Sequence, residues 1–336
     1  MSSRPISIPR ARACLPAFAF STDPMPRALA FALILVVAWD VRAGGLAVID
    51  GSGAAVSLTA SAQRIVSLAP HATELLFAAG AGARVIGVID PADWPREAAH
   101  LPRVGDVRSL DLERIIALRP DLAVAWPYTV PSQVERLRAL GVAIYITDAH
   151  TPDAIADDIE RLGMLSGSEV QGERAAAVFR SRLAAVRAQT RDAPPVRVFY
   201  EIWNQPLYTV GGAHLITAAL AMCGGENVFA SSLLPAPSVS IEAVLAAAPD
   251  AIVAGTDGAV RPAWLDDWRR WTSLPAVRRD NLMVVDANLL HRPGPRFAEG
   301  VEQLCAALDR ARMKGRMLAR AGQRRLLKPG ALNDMN

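Results

Sequence analysis

The chain has 336 residues, of which 51% are hydrophobic and 21% are charged, and this composition excludes a disordered or fibrous protein. Its length favours two domains. The excess of basic residues lies at the two ends, because residues 44–312 contain 25 basic and 30 acidic side chains and carry a net charge of −5. No basic stripe with interleaved aromatic residues is left in this central region, which excludes nucleic-acid binding as the explanation of the basic pI.

The N-terminal segment predicts export. An uncharged run of twelve residues, 28–39, follows a basic residue and precedes Val41 and Ala43, which fit the −3 and −1 positions of a cleavage site. A basic start, an apolar stretch and small residues at these positions describe a secretory signal peptide. A membrane anchor is the alternative, but twelve helical residues span only about 18 Å of a hydrocarbon core of roughly 30 Å. We therefore expect residues 1–43 to contain a signal peptide that directs the protein to the periplasm, with residues 1–24 an over-extended start and Met25 the true initiator.

The cysteines agree with export. Cys14 lies in the predicted signal peptide, and its removal leaves Cys223 and Cys305. An even number of cysteines in an oxidising compartment suggests one disulfide bond. Two buried free thiols are the alternative.

Short apolar segments rich in β-branched residues alternate with amphipathic helices from residue 63 onward. Continuously apolar strands that alternate with helices predict a parallel sheet covered on both faces. In the first half of the chain the predicted helices are 73–79, 112–118 and 131–140, and the predicted strands are 64–68, 85–89, 122–125 and 143–147.

The second half follows a helical region. Residues 153–192 contain no plausible strand and end before a Pro-Pro pair, which stops a helix. Alternation of strands and helices then resumes, with strands predicted at 196–202, 251–254 and 282–285. We expect an N-terminal α/β lobe at 63–167, a connecting helix at 168–192, a C-terminal α/β lobe at 195–312 and a disordered basic tail at 313–336.

The two halves of the chain resemble each other. Residues 110–126 read LDLERIIALRPDLAVAW, and residues 239–255 read VSIEAVLAAAPDAIVAG. Each segment predicts a helix with an N-cap residue, Asp111 or Ser240, followed by a Pro-Asp turn and an apolar strand. Ligands of open parallel sheets bind beyond the carboxyl ends of the strands. Two such lobes that face each other would therefore form a binding cleft.

The repeat places Glu113 and Glu242 at equivalent positions in the first turn of each helix. A carboxylate there is favoured by about 0.3–1 kcal/mol through the helix dipole, which requires no function. Alternatively, two equivalent acidic points on the rim would meet two basic pockets on a two-fold symmetric partner. The residues alone leave both interpretations open.

The motifs favour binding over catalysis. The chain has no Gly-x-Ser-x-Gly, no phosphate-binding Gly-x-x-x-x-Gly-Lys and no His-Glu-x-x-His, and no two of its five histidines have a metal-ligand spacing. Aromatic residues instead follow predicted strands: Trp126 and Tyr128 in the first lobe, and Trp203 in the second. Their rings would stack on a large, flat ligand, or else pack beneath loops. We expect no catalysis, no metal site and no cofactor.

Four segments resemble the periplasmic cobalamin-binding proteins of bacterial ABC importers, which are class III solute-binding proteins. They are RIVSLAPHATELLFAAGAG, LDLERIIALRPDLAVAW, AMCGGENVF and RPGPR, and the resemblance extends from about residue 63 to 311. It implies two Rossmann-like lobes with parallel sheets, joined by one long connecting helix. It also implies a monomer that captures cobalamin or a related corrinoid as transported cargo and delivers it to a dimeric ABC permease in the inner membrane. The first segment also occurs in siderophore and haem binders.

The resemblance assigns roles to individual residues. Glu113 and Glu242 fall on the glutamates that dock on arginines of the permease. Cys223 and Cys305 fall on a bridged pair, which implies a disulfide. With the aromatic residues above, the candidate ligand-binding residues are Pro91, Trp126, Tyr128, Trp203, Asn288, Leu289, Leu290, His291 and Arg292.

The cleft departs from the family pattern. A tyrosine of the family falls on Pro91, and two tryptophans fall on Val107 and Ala236. A Trp-Phe pair in the loop that contacts the corrinoid has become Leu289-Leu290. A ferric siderophore or a haem is therefore the alternative ligand. A haem would need an axial ligand, for which the candidates are His71, Tyr128 and His291.

Overall fold

A computed structural model describes residues 45–326 of the chain. The predicted signal peptide and its start at Met25 lie outside the described residues. Within the described range, no helix combines the length and the apolar character needed to cross a membrane.

The described chain begins with a β-hairpin that the sequence analysis did not predict. Strands β1 (Leu46–Ile49) and β2 (Ala55–Leu58) pair antiparallel. The turn attaches to the edge of the first lobe: the N–H of Gly51 donates to the carbonyl oxygen of Ile146 over 2.8 Å, and the carboxylate of Asp50 accepts from the N–H of Ile146 over 3.1 Å. The hairpin therefore adds to the lobe that was predicted from residue 63.

The first lobe contains a five-stranded parallel sheet, whose strands lie side by side in the order β5 (Arg103–Asp106), β4 (Val85–Asp90), β3 (Ile65–Ser67), β6 (Leu122–Ala125) and β7 (Ala143–Ile146). Its central strands are buried throughout, because helices cover both faces of the sheet. The strands and helices predicted for the first half are confirmed, and β5 is added to them. The elements are β3 (Ile65–Ser67), α1 (Pro70–Ala78), β4 (Val85–Asp90), β5 (Arg103–Asp106), α2 (Leu112–Ala117), β6 (Leu122–Ala125), α3 (Pro131–Ala139), β7 (Ala143–Ile146) and α4 (Pro152–Ser166).

A single helix, α5 (Glu169–Thr190), follows the first lobe. Helix α4 ends at Gly167, whose φ of +69° is the left-handed conformation in which glycine terminates helices. The chain then folds back so closely that a Cβ atom on Gly163 would lie 3.1 Å from the Cα atom of Gly172. Both positions therefore need glycine for α5 to pack along α4, and the buried face of α5 includes Phe179.

The second lobe contains a four-stranded parallel sheet, whose strands lie side by side in the order β11 (Gly225–Asn227), β8 (Val196–Glu201), β12 (Ala251–Thr256) and β13 (Leu282–Asp286). The three strands predicted in this half are confirmed. The elements are β8 (Val196–Glu201), β9 (Trp203–Asn204), β10 (Leu207–Tyr208), α6 (Leu215–Met222), β11 (Gly225–Asn227), α7 (Ile241–Ala247), β12 (Ala251–Thr256), α8 (Ala263–Asp266), α9 (Pro275–Arg278), β13 (Leu282–Asp286), α10 (Ala287–Leu290) and α11 (Phe297–Leu326). The predicted α/β fold of two lobes with parallel sheets is confirmed.

The repeat in the sequence corresponds to equivalent backbone contacts in the two lobes. The N–H of Asp121 donates to the carbonyl oxygen of Arg64 over 2.9 Å, and the N–H of Asp250 donates to the carbonyl oxygen of Arg197 over 2.8 Å. Each Pro-Asp turn therefore starts its strand beside the first strand of its own lobe.

Cys223 and Cys305 form a disulfide bond, as the resemblance implied, with their Cα atoms 4.7 Å apart. The bond joins the end of α6 to α11. The chain between the two cysteines spans 82 positions, for which the chain-entropy model gives a stabilisation of about 4–5 kcal/mol. Arg312 supports the same junction, because its guanidinium donates to the carbonyl oxygens of Cys223 and Gly224 over 2.5 and 3.0 Å.

The basic tail differs from the expectation of disorder. Helix α11 continues to Leu326 and therefore includes residues 313–326 of this segment, and residues 327–336 lie outside the described residues. Buried Ala311 and Arg312 attach this part of the helix to the lobe. The ammonium group of Lys314 then donates to the carbonyl oxygen of Asp280 over 2.5 Å and pairs with its carboxylate over 3.2 Å. These contacts fix the first turn of the segment, and helical hydrogen bonding extends it.

Candidate functional site

The two lobes face each other across a cleft. A pocket of about 270 Å³ has walls from both lobes, which include His71 and Trp126 from the first and His291 and Arg292 from the second. A second pocket of about 150 Å³ also has walls from both lobes, and Trp126, Tyr128 and His291 line both pockets. These three rings therefore form the partition between the two compartments of the cleft.

Trp126 and Tyr128 lie where the sequence analysis expected them, beyond the carboxyl end of β6. The N–H of Trp126 donates to the hydroxyl of Thr129 over 3.0 Å, which holds the tight turn after the strand. The two rings meet edge to face, with centroids 4.5 Å apart and planes at 65°. Tyr128 is 69% exposed, so most of its ring is free to contact a ligand.

His71 lies at the inner wall of the larger pocket and was absent from the predicted ligand-binding set. It stands in the first turn of α1 and is only 3% exposed. Its ring meets Trp126 edge-on, with centroids 5.2 Å apart, and its Nε2 lies 2.8 Å from the hydroxyl of Thr147. Burial, and then the positive charge of Arg292, lower the pKa of His71 to about 3. The imidazole is therefore neutral at any physiological pH.

The segment 288–292 reaches the cleft only in part. His291 lines both pockets and its Nε2 lies 3.0 Å from the hydroxyl of Tyr200, while burial lowers its pKa to about 4. Leu290 lines the smaller pocket. Leu289 is 4% exposed and packs against α11 in the interior of its lobe. Asn288 donates to the carboxylate of Asp257, so its amide is held against the neighbouring loop.

Pro91 and Trp203 are not brought to these pockets in the structure. Pro91 follows β4 and is exposed, and it lines neither compartment. Trp203 begins β9, one intervening residue after the end of β8, and its backbone pairs with that of Tyr208. It is 58% exposed, and its indole N–H donates to the carbonyl oxygen of Gln205 over 2.9 Å. A ligand would have to extend beyond the two pockets to reach either residue.

Four charged side chains join the lobes beside the larger pocket. The carboxylate of Glu74, which is 1% exposed, accepts two hydrogen bonds from Arg296, over 2.9 and 2.6 Å. Arg292 pairs in the same two-bond manner with Asp93, over 2.6 and 3.0 Å, and this pairing lowers the pKa of Asp93. Arg296 also lies over the ring of Trp94, 4.8 Å from its centroid. Because Arg292 pairs with Asp93, its guanidinium is already held by an acid at the wall of the cleft.

Glu113 and Glu242 occupy matching positions in the two lobes. Each is exposed in the first turn of a short helix, α2 or α7. The predicted N-caps are confirmed, since Asp111 accepts from the N–H of Arg114 over 2.9 Å and the hydroxyl of Ser240 accepts from its helix over 3.2 Å. Hydrogen bonds from its own backbone N–H and from Ser240 lower the pKa of Glu242. Both carboxylates are thus exposed at the surface.

A model of the periplasmic binding protein family matches residues 65–289. The chain belongs to this family. A vitamin B12-binding protein of Vibrio cholerae is 40% identical over 249 residues, which cover 74% of this chain and 89% of the relative. The family resemblance inferred from the sequence motifs is confirmed.

Solved structures of the family share the fold. The crystal structure of a periplasmic vitamin B12 binding protein of Vibrio cholerae is 39% identical, with a TM-score of 0.68, and the match covers 74% of this chain and 98% of that chain. The periplasmic heme-binding protein RhuT from Roseiflexus sp. RS-1 is 29% identical, with a TM-score of 0.66, and the match covers 75% and 100% of the two chains. The family is defined by binding in the periplasm, which agrees with the expectation that this chain is a binding protein.

Proposed function

We propose that this protein captures cobalamin or a related corrinoid in the periplasm and delivers it to an ABC importer, without catalysing a reaction. The observation that carries the proposal is the cleft between the lobes, with Trp126 and Tyr128 at its centre, in a chain 40% identical to a vitamin B12-binding protein. The corrinoid is cargo, and no cofactor is involved.

The larger pocket has the surface chemistry that a corrinoid needs. Ligand pockets of this kind are mainly apolar, with a few polar groups that fix orientation. A corrin ring is broad and apolar on its faces and carries amide groups around its edge. Trp126 and Tyr128 supply aromatic surface, and the other apolar walls are Leu68, Ala69, Val107, Leu110 and Val130.

The smaller pocket supplies hydrogen-bond donors for amide carbonyl groups. The Nδ1 atom of His214 accepts from the N–H of Ile216 over 3.1 Å, so the ring proton of His214 is on Nε2. Burial, and then the neighbouring His150, lower the pKa of His214, which keeps this single-proton form. His150 and His291 line the same compartment. The neutral N–H donor of His214 suits the peripheral amides of a corrinoid better than a free anion.

Delivery requires a surface that a permease recognises. Glu113 and Glu242 support docking because they are exposed at equivalent positions of two similar lobes, as a two-fold symmetric partner requires. We infer that they meet arginines of a dimeric permease in the inner membrane, and that the binding protein acts as a monomer. Rim charges of this kind set orientation and association rate more than affinity.

The domain limits belong to the same proposal. Residues 1–43 contain the signal peptide for export, with residues 1–24 an over-extended start and Met25 the initiator. The lobes comprise residues 63–167 and 195–312, and the helix at 168–192 connects them. The division into two lobes and a connecting helix is supported by the separate parallel sheet of each lobe and by the continuous helix between them.

A haem or a ferric siderophore is the second candidate ligand. The fold similarity to a heme-binding protein at 29% identity supports it, together with histidines at the cleft wall. Higher identity to vitamin B12-binding proteins favours the corrinoid.

Calorimetric titration of the mature protein with cyanocobalamin, hemin and ferrichrome tests the proposal. We expect one cyanocobalamin to bind per protein molecule, with an affinity at least tenfold higher than for hemin or ferrichrome, a difference of about 1.4 kcal/mol. Preferential binding of hemin or ferrichrome would show that the ligand is a haem or a ferric siderophore and not a corrinoid. No heat from any of the three would reject both.

A further inference from the structure

We propose that the cleft selects its ligand by charge, and that Asp93 sets this selection. Asp93 keeps Arg292 paired at the cleft wall, so the cleft admits the uncharged amides of a corrinoid and rejects a carboxylate in the same place. The inference rests on the proposed function and deepens it, because it separates fully amidated corrinoids from corrinoid acids.

Arg292 is the only Lys or Arg side chain among the described residues that line the two pockets. A free guanidinium at such a wall attracts a carboxylate, because it can donate two parallel hydrogen bonds to it. Here both of these bonds already go to Asp93, over 2.6 and 3.0 Å. A ligand carboxylate would therefore have to break an existing ion pair before it could form its own.

The charges beside the larger pocket are balanced. Two guanidinium groups, those of Arg292 and Arg296, face two carboxylates, those of Glu74 and Asp93. Glu74 is 1% exposed and accepts two hydrogen bonds from Arg296, so it is fixed in the interior. The side chain of Asp93 is 52% exposed. Without the carboxylate of Asp93, the cluster would carry one net positive charge at the cleft wall.

Asp93 acts on the ligand through Arg292. It lies in the segment between β4 and β5 and lines neither pocket, whereas Arg292 lines the larger one. Asp93 is thus a positioning residue: it determines whether the guanidinium in the wall is free or paired, and it leaves the shape of the pocket to other side chains.

The other charged residues of the pocket walls are acidic. Asp106 lines the larger pocket, and its carboxylate accepts from the N–H groups of Arg108 and Ser109 over 2.8 and 3.0 Å. These hydrogen bonds lower the pKa of Asp106, which keeps it ionised at neutral pH. Asp148 lines the smaller pocket, 3.2 Å from Nε2 of His150. A negative ligand group would therefore meet an acidic side chain in each compartment.

Three of the four histidines that line the cleft are uncharged at pH 7. Burial lowers the pKa of His71 to about 3 and that of His291 to about 4. Burial also lowers the pKa of His214. The fourth, His150, already lies beside the carboxylate of Asp148. The histidines thus offer hydrogen bonds to uncharged groups and do not replace the charge that Asp93 neutralises.

Selection of this kind works against the wrong ligand. Like charges brought together, or an ion pair that must be broken, reduce the affinity for a partner that would otherwise fit. A corrinoid and its hydrolysed acid have the same ring and nearly the same shape, so apolar walls distinguish them poorly. The charge arrangement at Arg292 distinguishes them directly.

Calorimetric titration with matched ligands tests the inference. The ligands are cyanocobalamin and its monocarboxylates, in which one peripheral amide is hydrolysed to a carboxylate, each positional isomer being measured separately. At least one isomer should bind the unmodified protein about tenfold more weakly than cyanocobalamin. D93N frees the guanidinium with little change in side-chain size, and it should raise the affinity for that isomer relative to cyanocobalamin by about tenfold, or about 1.4 kcal/mol. The control E97Q removes an exposed acid from the same lobe and should leave the ratio unchanged.

The ratio separates charge selection from a change in how the lobes close, because a weaker contact between the lobes would alter the affinity for both ligands alike. If D93N does not fold, D106N decides in its place: it removes an acid from the pocket wall without touching the ion pairs, and it should raise the ratio for at least one isomer by about threefold.

Two results would overturn the inference and leave cyanocobalamin binding intact. One is that every monocarboxylate binds the unmodified protein as tightly as cyanocobalamin. The other is a ratio that changes by less than about twofold in the folded variant. Failure of cyanocobalamin to bind the unmodified protein would overturn the proposed function and the inference with it.

Discussion

Glu74 and Arg296 form a two-bond ion pair that joins the two lobes beside the larger pocket, over 2.6 and 2.9 Å. Their side chains are 1% and 20% exposed, so the pair is largely shielded from water. Arg292 adds a longer contact to the same carboxylate, at 3.5 Å. The position of one lobe relative to the other is therefore fixed by charge pairing next to the residues that line the pocket.

Removal of Glu74 should destabilise the protein strongly, because two guanidinium groups would lose their buried partner. We expect E74A to lower the free energy of unfolding by about 3 kcal/mol or more, measured by urea denaturation. The control R187A breaks an exposed pair with Asp153, and it should cost less than about 1 kcal/mol. Equal effects of the two substitutions would show that the pair between the lobes contributes little.

Trp126 and Trp203 should differ in their importance for the ligand, although both follow a predicted strand. W126A removes a ring that lines both pockets and should lower the affinity for cyanocobalamin by about tenfold or more. W203A changes an exposed residue that lines neither pocket, and calorimetry should show less than about a twofold change. A larger loss with W203A would mean that the ligand extends over the β9–β10 hairpin.

The stability contributed by His71 should depend on pH with a definite sign. Its pKa in the folded protein, about 3, is below the unfolded value of 6.5, so the unfolded chain binds the extra proton between these values. The contribution of His71 to the free energy of unfolding is therefore complete above pH 6.5 and is lost as the pH falls towards 3. The stability difference between the unmodified protein and H71Q, from urea denaturation, should therefore shift in favour of the unmodified protein as the pH rises from 4 to about 6.5. A difference that stays constant over this range would contradict the account.

Asp158 should show the opposite sign. Burial raises its pKa to about 7, and its carboxyl group lies 2.6 Å from the hydroxyl of Tyr145. Because the folded protein holds this proton more firmly than the unfolded chain, the contribution is complete below about pH 4 and is lost as the pH rises through 7. The advantage of the unmodified protein over D158N should shrink between pH 4 and 7. An advantage that grows over this range would show that the group is ionised in the folded state.

Glu113 and Glu242 should matter for transport and not for ligand binding. The double substitution E113A/E242A should abolish corrinoid uptake by cells, while calorimetric affinity for cyanocobalamin stays unchanged, because neither residue lines a pocket. A control with E97A/E226A removes one exposed acid from each lobe and should preserve uptake. Normal corrinoid uptake by cells that carry E113A/E242A would show that these glutamates do not dock on the permease.

The sheets could be predicted from the sequence because their strands are short, apolar and separated by amphipathic helices. The strand 122–125 has the same bounds in the structure, since all four residues are buried and a Pro-Asp turn marks its start. The β1–β2 hairpin was missed because its strands are short and alternate between buried and exposed positions, with small residues between them. Disorder was predicted for the segment after residue 312 because the sequence does not reveal its contact with Asp280.

The candidate site could be predicted in part. Trp126 and Tyr128 were predicted to line the cleft because they follow a predicted strand, and His291 and Arg292 because of the family resemblance. All four line the larger pocket. Glu74 and Arg296 are separated by 222 positions in the sequence, so no local sequence pattern predicts that they pair. His71 was expected only as a candidate axial ligand of a haem, and its place in the wall of the larger pocket depends on the packing of α1 against the first lobe.

A crystal structure of the mature protein with cyanocobalamin tests the central claim most directly. The account predicts one corrinoid enclosed between the lobes, in contact with Trp126 and Tyr128 on one side and His291 on the other. A corrinoid bound outside the cleft, or touching one lobe alone, would contradict it.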